Sequence, residues 1–190
     1  MLTKKELIEI FKNGTEEEQL EIAYRTHYKA NWRHYAGFWT NKYVALDEFR
    51  TCILDGYIAE DIIEEKYLKP AKEHHLISNY ELDKYNPYHF MEGDAFIRKE
   101  SELNQPDGRL WAGIDRYTFD IKHTRGRVVC NPEDNRLYGP GVCLDKNKTH
   151  NADYVFLYQM DQEILYVYSI DFEGNANLLF SQDLADAEIL

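Results

Sequence analysis

Pro106-Asp107-Gly108-Arg109-Leu110-Trp111-Ala112-Gly113-Ile114-Asp115-Arg116-Tyr117-Thr118-Phe119-Asp120-Ile121-Lys122 is the stretch whose reading decides the fold. Two β-prone runs, 110–113 and 117–124, flank a turn within 113–116, and that pattern predicts a hairpin. Side chains alternate along a strand, so Asp120 and Lys122 share one face while Ile121 points to the opposite, apolar side. Asp107 lies on the partner strand or just before it, where its carboxylate can fall near Asp120 across the ladder and one ion can bridge both. Carboxylate oxygens are hard ligands suited to Mg²⁺. Phosphodiester cleavage needs such an ion, together with a cation or base that orients water and offsets the charge building on phosphorus. The same residues also fit a plainer arrangement, with Pro-Asp-Gly as a surface turn and Asp120 and Lys122 as a pair on an exposed strand face.

Upstream of the hairpin the chain reads as helical. Thr3 with Glu6, and Thr15 with Glu18, match the capping-box pattern that starts a helix. The second helix, about 16–35, sets Leu20, Ala23, Tyr24, His27 and Tyr28 on one side. A third helical stretch over 46–74 carries Phe49, Ile53, Ile58, Ile62, Ile63, Tyr67 and Leu68, with Gly56 as a break point and Pro70 as a stop or kink. Extended structure begins around 94–98. Beyond the hairpin, a polar stretch over 125–151 precedes two strongly β-prone runs, 154–158 and 164–170, and a last strand around 178–180. The expected architecture is α/β, a mixed sheet flanked by helices. Residues 1–45 form a helical N-terminal extension and 46–190 the core.

The balance of −12 over 190 residues counts against a nucleic-acid partner, because phosphate affinity comes mainly from Lys and Arg. The distribution of charge restores that possibility. Between Arg116 and Lys148 seven Lys/Arg face four Asp/Glu, a local +3 that leaves −15 for the remainder. Arg125 and Arg127 leave the second hairpin strand toward this segment, placed for phosphate contact. Cys52, Cys130 and Cys143 are an odd set without CxxC spacing, which argues against a disulfide framework and a zinc knuckle and reads as reduced, structural thiols. No apolar run approaches the length of a spanning helix, and Met1-Leu2-Thr3-Lys4-Lys5-Glu6 lacks the core of a signal peptide. A soluble, cytoplasmic protein without membrane contact is the expectation.

Pro106-Asp107 followed thirteen residues later by Asp120-Ile121-Lys122 resembles the PD-(D/E)XK nuclease superfamily, the restriction-endonuclease-like enzymes. Phe119-Asp120-Ile121-Lys122-His123-Thr124 is similar to the family's central strand, and Ala152-Asp153-Tyr154-Val155-Phe156-Leu157-Tyr158 to its later core strand. The resemblance covers roughly residues 58–170. It implies a restriction-endonuclease-like fold, Asp107 and Asp120 as metal ligands with the Ile121 carbonyl, and Lys122 as the residue that positions the attacking water. Family members often add an acid from the preceding helix. Here Glu60 and Glu64 are the choices, with Asp61, Glu65 and Asp94 as further candidates, while Asp115, closer to the hairpin tip, reads as solvated. The implied activity is hydrolysis of phosphodiester bonds with Mg²⁺ or Mn²⁺, in DNA by family frequency, and a homodimer is compatible with duplex cleavage.

Two other functions stay open on the sequence. An RNA endonuclease of the viral cap-snatching type shares the acid and lysine set and would use an early histidine, His27 or His34. A non-catalytic acidic interaction protein that imitates nucleic acid fits the negative remainder. His123, next to Lys122, should face away from it. Trp32 and Trp39 are available for base stacking, although aromatics at helical spacing also build cores.

Overall fold

In the computed structural model the described residues are 3–30, 46, 50, 54–82, 88–91, 94–98, 106–125, 129–130, 137–138, 152–173 and 175–185. The chain divides into two compact units: Met1–Ile58 with Lys84–Gln105, and Ala59–Asp83 with Pro106–Leu190. None of the helices among the described residues is long and apolar enough to cross a membrane.

The first unit opens with α1 (Lys4–Asn13) and α2 (Glu16–Ala30). Both begin as their sequences predict. The Thr3 hydroxyl accepts from the Glu6 amide at 3.2 Å while the Glu6 carboxylate accepts from the Thr3 amide at 2.6 Å. Thr15 and Glu18 repeat the exchange at 3.3 and 2.8 Å, so each helix start satisfies amides that have no partner within the helix. Leu7 and Ile8 of α1 are buried with Tyr57, and Ala23 of α2 is buried with Leu46. The Gln19 side chain donates to the Gly14 carbonyl at 3.1 Å and accepts from Arg50 at 2.8 Å. Strands β2 (Tyr88–Met91) and β3 (Asp94–Arg98) pair antiparallel in this unit.

The second unit is built on a six-stranded sheet. Its strands are β1 (Asn79–Leu82), β4 (Gly108–Ala112), β5 (Asp115–Thr124), β8 (Tyr154–Gln159), β9 (Ile164–Ile170) and β10 (Ala176–Asp183), in that spatial order. Only β5 and β8 run parallel, which makes the sheet mixed. Between them in sequence lie β6 (Val129–Cys130) and β7 (Leu137–Tyr138), a short antiparallel pair within the stretch expected to be loop. The β4–β5 hairpin is longer than the sequence predicts. Its turn is the two residues Gly113-Ile114, and Gly113 sits at φ 65, a conformation open to glycine and suited to the first position of a tight hairpin turn.

Alternation gives the sheet two different faces. Phe119, Ile121, Phe156, Tyr158, Leu165 and Val167 form one, packed with Ala59, Ile63 and Leu68 in the main core. The Phe119 and Phe156 rings stack at 4.9 Å, and Tyr67 meets Phe156 edge-on at 5.5 Å. Those helical residues come from α3 (Asp55–Ile63), a π-helical turn (Glu64–Leu68) and α4 (Lys69–Glu73). Gly56 falls in the first turn of α3 and does not break it. Pro70 acts locally: it has no N–H to donate and its ring crowds the carbonyl four residues back. The widened turn before it, with the Lys69 amide bonding the Glu64 carbonyl, accommodates that conflict.

Candidate active site on the hairpin

Site construction starts at Gly108. A Cβ there would stand 2.3 Å from the Phe119 ring and 2.5 Å from the Glu81 carbonyl, so a side chain is excluded by close approach on both sides. Gly108 pairs with Phe119 in the antiparallel ladder. Extended by one step, that register would set Asp107 opposite Asp120. The Ile121 amide donates to Asp107 Oδ2 at 2.6 Å, a short charge-assisted hydrogen bond that anchors the carboxylate against the central strand. Gly108 therefore begins a strand, and Pro-Asp-Gly is not an isolated surface turn.

Asp120 and Lys122 project from the face opposite the main core. Asp120 is fully buried, and Lys122 Nζ forms an ion pair with its Oδ2 while remaining 28% exposed. An exposed surface pair is thereby excluded. A carboxylate removed from water needs a counter-charge, and Lys122 brings one. Their neighbours across the parallel ladder are Val155 and Leu157, both fully buried. Apolar walls lower the local dielectric and strengthen the charge interactions beside them.

The donor set fits a hard divalent cation. Asp107 and Asp120 offer carboxylate oxygens, and the Ile121 carbonyl faces the same side as Asp107. That follows because the N–H and C=O of one strand residue point to the same edge, and the Ile121 N–H reaches Asp107. Thr118, whose amide and carbonyl both bond Asp153, marks the alternate residues as facing β8.

The helical acids Glu60 and Glu64 lie on α3 and on the π-helical turn that follows it. Ala59 and Ile63, which flank Glu60, pack on the Phe119 and Ile121 face. Glu60 and Glu64 are both buried, and Glu64 accepts the Tyr80 hydroxyl at 3.2 Å. With Asp61 and Glu65, Glu64 forms a cluster whose ligand atoms all lie within 4.8 Å of one another. Burial pushes the Tyr80 phenol up to about 12, with the charge of Glu64 adding to it.

Arg125 is exposed just after β5, Asp115 is exposed at the hairpin tip, and His123 is half-buried on the face away from Lys122. Arg127, Trp32, Trp39, His34, Cys52 and Cys143 lie outside the described residues, as do the side chains of His27, Asp94 and Cys130. One residue on the Asp120 face is not signalled by the sequence pattern. Gln159 pairs in register with Thr124, is 1% exposed, and accepts the Tyr166 hydroxyl at 3.2 Å. Its signal is a lone amide ending the apolar run 154–158, but its place beside Thr124 depends on a parallel pairing across 29 intervening sequence positions, 125–153.

No protein-family model matches the chain. No curated protein matches it. Among solved structures a bacterial homing endonuclease, I-Ssp6803I, is similar at 13% identity and a TM-score of 0.32, over 72% of this chain and 80% of that one. The chain is a mixed α/β protein whose six-stranded sheet carries a buried aspartate–lysine pair beside an anchored second aspartate.

Proposed function

We propose that this chain is a metal-dependent nuclease of the PD-(D/E)XK type, hydrolysing phosphodiester bonds in DNA with Mg²⁺ or Mn²⁺. The observation that carries the reading is the Asp107 carboxylate held on the Ile121 amide at 2.6 Å, beside the buried Asp120–Lys122 pair. Asp107, Asp120 and the Ile121 carbonyl would hold the cation. A bound divalent ion supplies Lewis-acid polarisation of the phosphoryl oxygen and offsets the charge of the phosphate.

The chain's own groups have separate tasks. Lys122 holds the attacking water by hydrogen bond and offsets negative charge as the new P–O bond forms and the ester P–O bond opposite breaks. The attacking water releases one proton to solvent and the leaving alkoxide takes one up from it, giving an alcohol and a phosphate monoester. Asp120, through its ion pair, fixes the ammonium of Lys122. Arg125 and Arg127 contact flanking phosphates and counter repulsion from the acidic body. DNA is preferred over RNA by analogy with the family.

Melting the protein with and without Mn²⁺ or Ca²⁺ tests the centre independently of substrate, since a ligand that binds the folded state alone stabilises it. A metal-dependent rise in melting temperature that is lost in Asp120→Asn supports the nuclease. Absence of any rise, together with absence of cleavage on plasmid, single-stranded DNA and structured RNA, supports the acidic interaction protein instead.

A further inference from the structure

The β4–β5 ladder ends at Gly108, and the residue that would make its next hydrogen-bonded pair, two positions on, is proline. In this ladder Gly108 pairs with Phe119, and the alternate residues of β5 direct both backbone groups toward β4. Two steps on, the partner of Ile121 would be residue 106. A continuing ladder would send the Ile121 N–H to the carbonyl of residue 106 and the N–H of residue 106 to the Ile121 carbonyl.

Neither bond is the one observed for the Ile121 amide. The Asp107 side chain takes that donor at 2.6 Å and so stands in for the missing main-chain acceptor. The other half of the exchange is ruled out by covalent structure, because Pro106 has no N–H. The chain bends at Asp107, and Pro106 is half-buried. We infer that Pro106 is a positioning residue: by lacking a donor it ends the ladder at Gly108 and leaves the Ile121 carbonyl for a hard divalent cation.

This inference rests on the proposed metal centre and adds a role for a residue that touches neither metal nor substrate. An alanine at 106 restores the N–H. It would extend the ladder by one pair and give the Ile121 carbonyl a main-chain partner that competes with the cation. Changes in groups that support a metal ligand typically lower affinity by about ten- to a hundredfold, and a loss of that size is expected here.

The test is Mn²⁺ titration calorimetry on full-length wild type, Pro106→Ala, and a ligated full-length chain with N-methylalanine at 106. Amide hydrogen exchange at residue 106 is followed in Pro106→Ala. The expected result is a protected amide and a ten- to hundredfold loss of Mn²⁺ affinity in Pro106→Ala, with near wild-type affinity restored by N-methylalanine, which again lacks the N–H. Unchanged affinity in Pro106→Ala overturns the inference, as does a loss of affinity with an unprotected amide or one that N-methylalanine shares. Should Pro106→Ala fail to fold, the N-methylalanine chain decides by keeping or losing the wild-type affinity. Wild type that binds no Mn²⁺ overturns the nuclease reading itself, and this inference with it.

Discussion

Gly108 and Lys122 show how single residues hold the site together. A methyl at Gly108 would collide with Phe119, whose ring is already stacked on Phe156, and with the carbonyl of Glu81 on β1. Gly108→Ala should therefore lose about 1–3 kcal/mol of stability through overpacking, read from urea denaturation. Unchanged stability would mean that β4 shifts freely. Lys122→Ala removes the ammonium paired with the buried Asp120 carboxylate and should cost about 3 kcal/mol in the metal-free protein. Saturating Mn²⁺ should stabilise this variant more than wild type, because the cation replaces the missing ammonium; equal gains would contradict a shared position. Asp107, Asp120 and Lys122 are legible in the sequence because a short hairpin and a two-residue alternation are local. The complete burial of Asp120 is not legible there, since it depends on distant strands.

Elements differ in how locally they are determined. Both capping boxes lie within four residues, and both helices start where they predict. Hydrogen bonds from the Thr15 amide, and then its hydroxyl, hold the Glu18 carboxyl below its ordinary value. A lowered carboxyl contributes stability that is present above its unfolded value and lost as pH falls through the folded one. Thr15→Ala should thus lower the melting temperature at neutral pH and shrink that acid-side loss, as circular dichroism melts between pH 3 and 7 would show. Tyr80 gives the opposite signature. Its phenol is raised from 10.0 to about 12, chiefly by burial and then by Glu64. The contribution is complete below pH 10 and is lost as pH rises toward 12, because the unfolded chain releases the proton first. Tyr80→Phe should flatten that alkaline decline, and an identical decline would place its cause elsewhere. Strand β1 is not legible in the sequence because it is four residues long and gains its identity from pairing with β4. The π-helical turn is visible there only as a conflict at Pro70.

Across the whole molecule, the sheet joins a hairpin that sequence predicts to a parallel partner that it does not specify. The β5–β8 pairing sets Val155 and Leu157 beside Asp120 and Lys122, and it also brings Gln159 into line with Thr124. Periodicity exposes a strand's face but not the neighbour across a long connection. On the helical side, Glu64 accepts the Tyr80 hydroxyl and clusters with Asp61 and Glu65. With a chain balance of −12, the proposed cation at the hairpin would also help to bring a polyanion close. Cleavage should consequently vanish on chelation and fall steeply with salt. The most direct measurement is nicking of supercoiled plasmid in Mg²⁺ or Mn²⁺ by wild type, Asp120→Asn and Lys122→Ala, each first verified as folded. Metal-dependent cutting by wild type and a loss of at least about a hundredfold in both variants are expected. Cutting by either variant at the wild-type rate would contradict the nuclease reading.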